Sequence, residues 1–403
     1  MKLQWKLILA SIALITTALS AQTGALAAEG SSSNLAVTAK VGIGYDTNVF
    51  RSPDVTYVDL SKAGNPLTLP NVQAGIFIPM GFDARYVSDS FIATYRFDGD
   101  LYPNRSLSNA DIYDHKFDIG RKLEQPAKWL GVDDFYAGLT LKYHRQTYVD
   151  RDTGLDFITS GSGTNVSQRF NYLGLGTKVK LTKKTDMATY HARFSFERRF
   201  YSDPVVISVW DHNYFILGGD ARFHIGHRTA LKLSYDFSIR DFSNRPSHSA
   251  NGRLTRKNPT VTYYYHAPEV TLSHRFSKAL VTFLSYGRTY RQDTFVGYND
   301  YRRDKVRWRT AYSPSKNVKM RLALSYRKRV YDNAFAFDNP VAGAGSKDFN
   351  IYTANARGEF KLGFLPSEHW ALWGEVNYRN QASGDTRYDY KRTQVMGGIK
   401  WEG

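Results

Sequence analysis

The sequence predicts an all-β fold, a transmembrane antiparallel up-and-down β-barrel of about 16 strands, with roughly 14 to 18 as the range of the count. Three observations predict it. Apolar and polar residues alternate with a period of two, as at Phe135, Ala137, Leu139, Leu141 and Tyr143 and again at Leu231, Leu233, Tyr235, Phe237 and Ile239. The polar alternants are often charged and no second apolar layer follows them, so the apolar face is expected to meet lipid and the polar face a lumen. Connections also alternate in length: 88–89, 183–185, 226–227, 277–278 and 314–316 are short, whereas 46–75, 147–166, 243–260 and 333–348 are long. Short periplasmic turns against long surface loops are the habit of outer-membrane barrels.

The first residues read as an export signal. Lys2 and Lys6 precede an apolar run over 7–18, and Ala25-Leu26-Ala27 forms a small-x-small cleavage site. A membrane anchor is the competing reading, but the run is short of the ~20 residues a helical span needs. The expected division is a signal peptide over 1–27 and an outer-membrane β-barrel over 28–403. With 0 cysteines there is no lipid-attachment thiol, disulfide or thiolate metal site. The expected location is the bacterial outer membrane. Mean hydropathy is −0.45, as in a barrel whose strands each wet one face. The 28 Tyr and 24 Phe suit rings seated at membrane interfaces.

In order, the expected strands are 35–45, 76–87, 90–102, 112–122, 132–146, 167–181, 187–201, 208–224, 229–242, 261–276, 279–292, 302–312, 318–331, 349–362, 370–381 and 388–401. Pro79 and Pro268 fall inside two of them and each signals a bulge or a shortened strand, because proline removes a ladder donor. The last strand alternates outward through Thr393, Val395, Gly397, Ile399 and Trp401, with Glu402 and Gly403 following the aromatic.

If apolar alternants face lipid, the others line the interior. The thirteenth strand then points Lys319, Arg321, Ser325, Arg327 and Arg329 inward, and the twelfth adds Lys305, Arg307 and Arg309. Arg193 and Glu197, Lys232 and Arg240, Trp373, Glu375, Asn377 and Arg379, and Arg392, Gln394 and Lys400 follow on other strands. Net charge is +17. Unpaired arginines and lysines make a field that favours anions, whereas cations paired with neighbouring acids would only brace the wall. A nucleic-acid partner is not expected beside an export signal and strand periodicity.

Catalysis finds little support. The 10 histidines are scattered, there is no His-Glu-x-x-His or Gly-x-Ser-x-Gly, and no cofactor, metal site or enzymatic activity is expected. His144 is placed in the lumen, where a lone histidine is wall more often than catalyst.

The segment Val41-Gly42-Ile43-Gly44-Tyr45-Asp46-Thr47-Asn48-Val49-Phe50-Arg51-Ser52-Pro53 resembles the opening strand and first loop of β-barrel porins of the second type. It is also similar to the barrel of surface-lipoprotein assembly modifiers, which carry a helical-repeat domain before the barrel. The resemblance implies an outer-membrane exit for an exopolysaccharide, as in biofilm or capsule gene clusters, and assigns no catalytic residues. By physical chemistry alone, Asp and Asn near a strand end can turn the backbone through side-chain bonds and Pro53 stops the ladder, so the motif can simply build the first outer corner; the alternative is a substrate contact by Asp46, Asn48 or Arg51.

Two functions follow for comparison. One is an export pore for an acidic exopolysaccharide, with Trp373 and Tyr136 as inward rings on which sugars slide and a periplasmic polysaccharide co-polymerase as partner. The other is a general or anion-selective diffusion porin for small anions, in which the third outer loop folds inward and sets Asp150, Asp152 and Asp156 against the basic wall. A structural or adhesive barrel is a third possibility. Outer-membrane lipid and the barrel assembly machinery are expected partners of each.

Overall fold

The computed structural model describes residues 34–60, 64, 66–158, 163–205, 209–340, 345–363 and 369–403. The expected signal peptide over 1–27 and the expected start of the mature chain lie outside the described residues.

Period-two alternation produces the expected sixteen strands. They are β1 (Asn34–Asp46), β2 (Gly75–Val87), β3 (Phe91–Leu101), β4 (Ile112–Lys122), β5 (Asp134–Gln146), β6 (Tyr172–Lys184), β7 (Ala188–Tyr201) and β8 (His212–His224). The second half comprises β9 (Thr229–Pro246), β10 (Thr260–Arg275), β11 (Leu280–Asp293), β12 (Tyr301–Ser315), β13 (Val318–Phe335), β14 (Ser346–Lys361), β15 (Trp370–Ser383) and β16 (Tyr390–Glu402). Each strand pairs with its sequence neighbours, and β16 returns to β1, so the sheet has no edge. Closure runs from Thr38 opposite Glu402 to Asp46 opposite Gln394, and Val37 and Gly403 exchange backbone hydrogen bonds of 2.7 and 2.9 Å.

The strands hold 11 to 18 residues, at or beyond the ~9–11 that cross a bilayer's hydrocarbon. The longest, β9 and β13, each run 18 residues and end on the long-loop side. The turn after β4 holds the one α-helix among the described residues, α1 (Glu124–Leu130), which ends at Gly131 in the left-handed conformation.

Alternate exposure fixes which face is which. Val41, Ile43, Leu139, Leu141, Leu217, Leu284, Val306, Trp308, Met320, Leu372 and Val395 are exposed on the outside, while their neighbours along each strand point into the lumen. The two prolines interrupt pairing without ending a strand. Pro79 pairs with Asp100 on one side while the β1 ladder lapses between Met80 and Phe77, and Pro268 pairs with Tyr235 while the β11 ladder lapses between His266 and Glu269.

There is no single core. Buried clusters sit mostly at the outer mouth: Val49, Phe50, Phe77, Tyr102 and Leu107; Tyr57, Ala336 and Phe337; and Phe242, Val261 and Tyr263. Inside the wall, large rings cover bare backbone. The Trp373 ring lies over Gly42, and its Nε1 donates to the Ile399 carbonyl at 3.1 Å. Tyr136 lies in the same way over Gly120 and Gly138. Aromatic cover of strand glycines pins register.

Gly42 has no room for a side chain, because a Cβ there would meet the Gly397 carbonyl as well as the Trp373 ring. The Gly42→Val protein should be destabilised by about 2 kcal/mol or more. A lower urea midpoint in lipid vesicles checks this, with Gly358→Val, where a Cβ meets nothing, unchanged.

Candidate functional site

The lumen wall divides into two electrostatic halves. On β4 to β9 several inward acids gather cations. Asp118 takes Lys116 at 2.8 Å and Lys178 at 2.6 Å, and Glu197 takes Lys142 and Arg199, both at 2.5 Å. Arg193 reaches over the bare backbone of Gly218 to Asp236 at 2.5 Å, and Asp220 takes His191 at 3.0 Å and Lys232 at 3.4 Å. A second acidic knot lies on β14 and β15, where Glu359 holds Arg357 at 2.7 Å and Lys400 at 2.9 Å, and Arg357 lies 3.6 Å from Glu375. On these strands the paired cations brace the wall, while Arg240 on β9 and Arg379 on β15 make no ion pair among the described residues.

On β12 and β13 they do not. Arg303, Lys305, Arg307 and Arg309 occupy four successive inward positions of β12, and β13 sets Arg329, Arg327 and Ser325 opposite the first three. No ion pair among the described residues involves any of these cations, nor Lys319, Arg321 or Arg379. Glu269 on nearby β10 makes no ion pair with them either. The Nε atoms of Arg303, Arg309, Arg327, Arg329 and Arg379 are buried without a hydrogen-bond acceptor among the described residues. Successive inward residues are about 6.7 Å apart, so the β12 ladder covers roughly 20 Å of the channel. Neighbouring strands add cations at similar spacing.

Aromatic rings support these arginines from behind. Arg291 sits 4.4 Å from the ring centres of both Tyr263 and Tyr301, Arg329 lies 5.0 Å from Tyr301, and Arg309 lies 5.1 Å from Phe283. Cation–π contact holds a guanidinium in place without neutralising it.

Strand parity puts Lys305, Arg307, Arg309, Lys319, Arg321, Arg327, Arg329 and Arg379 on the face opposite the exposed apolar residues, and Trp373 and Arg392 share that face but differ in use. Trp373 is 5% exposed and lies flat on the wall beneath Arg357, so it offers no free face to a sliding sugar. Tyr136, seated on its two glycines with Lys178 above the ring, is likewise part of the wall. Arg392 is ion-paired: its Nε donates to both carboxylate oxygens of Asp46, at 2.9 and 3.0 Å. Arg303 belongs to the ladder and shares the parity of Lys305, a signal that extending the alternation by one step would have found.

The first-loop motif separates into builders and a lumen group. Asp46 is fully buried and also accepts from Tyr102 Oη at 2.9 Å, Gln394 at 3.1 Å and the Asn48 N–H at 3.0 Å. Asn48 closes the corner, accepting from the Ser52 N–H and donating to the Ser52 carbonyl, both at 2.8 Å, and donating to the Lys391 carbonyl at 3.1 Å. Arg51 sits at the apex with a left-handed φ of 57° and turns into the mouth. Burial first, and then the neighbouring Arg392, pushes its guanidinium below its ordinary pKa.

The third outer loop does fold across the mouth, but not as expected. Asp150 accepts from the backbone N–H groups of Asp152 and Thr153, and Asp152 accepts from Tyr57 Oη at 3.0 Å. Both acids therefore help build the outer loops while also lining the cavity at the mouth. The loop also presents Arg151 to the lumen, 4.9 Å from the Tyr388 ring centre, while the Arg151 carbonyl accepts from Ser52 Oγ. No strand pattern marks this position.

The remaining outer loops interlock. His248 stacks on fully buried Tyr298 with ring centres 5.1 Å apart and meets Asn299 Nδ2 at 2.9 Å. Arg387 binds Asp385 at 2.7 Å and lies over the Phe337 ring, and Asp385 accepts from the Phe337 N–H at 2.9 Å.

A closed barrel with an apolar band outside and charge inside meets the backbone demands of a bilayer. The protein is an outer-membrane β-barrel. No protein-family model matches the sequence, and no curated protein matches it significantly. Among solved structures it is similar to OmpT, an outer membrane protein of Vibrio cholerae, at 10% identity over 93% of this chain and 99% of that one, with a TM-score of 0.44. It is also similar to a bacterial polysaccharide outer membrane secretin at 9% identity, 91% and 98% coverage and a TM-score of 0.45. An anion-selective porin from Comamonas acidovorans shares 11% identity over 93% of this chain and 100% of its own, with a TM-score of 0.42. Likenesses of this strength carry no argument about substrate.

Burial, followed by Arg245, lowers the His248 pKa from 6.5 to about 4, with Lys347 also lowering it and Asp338 and Asp293 raising it. The interlocked state therefore favours neutral imidazole. Its contribution is complete above about pH 6.5 and is lost as pH falls toward 4. Protease cleavage of the loop over 247–259 should accelerate between pH 7 and pH 4.5, and His248→Gln should flatten that dependence.

Proposed function

We propose that this protein is an outer-membrane pore for acidic solutes, and that its substrate class is an acidic exopolysaccharide passing outward along the cation ladder. The observation that carries the reading is the unpaired row Arg303, Lys305, Arg307 and Arg309, backed by Arg327 and Arg329. A single small anion needs one or two such groups. A chain bearing regularly placed carboxylates needs a continued series, so that each charge is handed to the next site before it leaves the last. The acid-paired strands opposite supply a stiff wall and little net attraction. Such a conduit has no energy source of its own, so the reading includes a periplasmic partner such as a polysaccharide co-polymerase.

A second reading is an anion-selective diffusion porin. The inward fold of the third loop favours it, since a narrowed mouth suits small solutes better than a polymer. In both readings the lumen itself performs no chemistry.

Planar-bilayer recording separates the readings. Wild-type protein should be anion-selective under a salt gradient, and Arg307→Glu with Arg327→Glu should lower the anion-to-cation permeability ratio by about threefold or more. Polygalacturonate added on the short-turn side should block the current, and this block should disappear in the double variant. Selectivity without any polymer block would favour the diffusion porin, and an unselective wild-type channel would refute both readings.

A further inference from the structure

The outer loops enclose a cavity of about 720 Å3 between the third loop, the first-loop motif and the ends of β15 and β16. This lies within the range of about 300–1,000 Å3 usual for small-molecule sites. Six arginines line it: Arg51, Arg151, Arg169, Arg245, Arg387 and Arg392. Four are engaged. Arg169 is paired with Asp203 at 2.9 Å, Arg387 with Asp385 at 2.7 Å and Arg392 with Asp46, and Arg245 lies 4.1 Å from the Trp210 ring centre. Among the described residues the other two, Arg51 and Arg151, form no ion pair, and Arg151 Nη1 is buried without an acceptor.

These two groups are brought together by construction. The Asn48 corner fixes Ser52, Ser52 Oγ bonds the Arg151 carbonyl, and the loop acids Asp150 and Asp152, which also line the cavity, accept from loop backbone and Tyr57. The backbone contact thus brings Arg51 and Arg151 to the wall of one cavity. Their five-donor forks suit an oxyanion. Asp100, from β3, lines the same space and can accept from hydroxyls, while Tyr148 and Phe157 offer apolar ring surface. Donors for a carboxylate, an acceptor for hydroxyls and rings for C–H faces together describe one ligand class.

We propose that this vestibule is a binding site for an acidic sugar unit, with Arg51 and Arg151 holding its carboxylate. The inference rests on the reading of the lumen as a path for acidic saccharides and adds a stopping place at its outer end. Occupancy would supply the missing counter-charge between the first and third loops and tie them together across the mouth.

Calorimetric titration of the full barrel in detergent tests this with trigalacturonate, maltotriose and inorganic phosphate as probes. Trigalacturonate should bind, phosphate should bind at least about tenfold more weakly, and maltotriose should not bind. Arg51→Asn, chosen because asparagine tolerates the left-handed backbone, and Arg151→Gln should each weaken trigalacturonate about tenfold or more. Arg151→Gln leaves the backbone clamp untouched, so it serves if Arg51→Asn does not fold. Equal affinity for phosphate would reduce the site to a simple anion site and overturn the sugar assignment. Unchanged trigalacturonate affinity in folded Arg151→Gln protein, or loss of it in Arg307→Gln instead, would move binding to the wall and overturn the proposal while leaving the pore reading intact. If instead the vestibule variants lose trigalacturonate but wild-type channels show no anion selectivity, the site stands and the pore reading falls.

Discussion

Everything in this barrel depends on satisfying backbone hydrogen bonds in a medium that offers none. An unpaired N–H or C=O in hydrocarbon costs several kcal/mol, so a sheet can cross a bilayer only by joining its two ends. That junction is the β1–β16 ladder, which runs nine residue pairs from Thr38 to Asp46. Once closure is imposed on an apolar/polar alternation, the parity of every side chain and the separation of a lipid face from a water face follow. Pro79 and Pro268 show how the constraint is met locally: each gives up pairing on one side only and keeps the ladder on the other.

The inner face faces no such demand, and there the electrostatics are free to differ between halves. Two cations about 7 Å apart repel by roughly 0.6 to 2.4 kcal/mol for effective dielectrics of about 80 to 20. A wall selected for stability alone would intersperse acids, as β4 to β9 do. The β12 ladder keeps its repulsion, and rings beside Arg309 and, on β13, Arg329 position charge without cancelling it. Stiffness on one side and field on the other is a division of labour within one sheet.

Much of this was legible in the sequence, for a reason specific to strands. When one face is apolar, a period of two assigns each residue to lipid or lumen, so Lys305, Arg307, Arg309, Arg327 and Arg329 could be placed inward without knowing a single contact. Depth and company were not legible. That Trp373 would lie flat depended on Gly42, more than three hundred positions earlier, and only the closed register brings them together. Loops carry no period at all. Asp150 and Asp152 read as acids facing a basic wall, yet their carboxylates found nearer donors in loop N–H groups and Tyr57. Arg151 could not be placed for the same reason, whereas the corner-building role of Asp46 and Asn48 followed from side-chain chemistry that acts over two to four residues.

The Asp46–Arg392 pair spans 346 positions of sequence, nearly the whole described chain. Contacts of that separation are the slowest for a folding chain to make, because the loop they close is long. The charged mouth is built from the two ends of the chain together with a loop from its first half. A partly assembled barrel, with strands laid down in order but the last not yet returned to the first, therefore lacks the mouth altogether. The arginine-lined mouth comes into being only with the final seam, so an incomplete assembly intermediate can carry the β12 ladder and still lack the outer end of the path. Maturation and competence are thereby joined in a single step of chain topology.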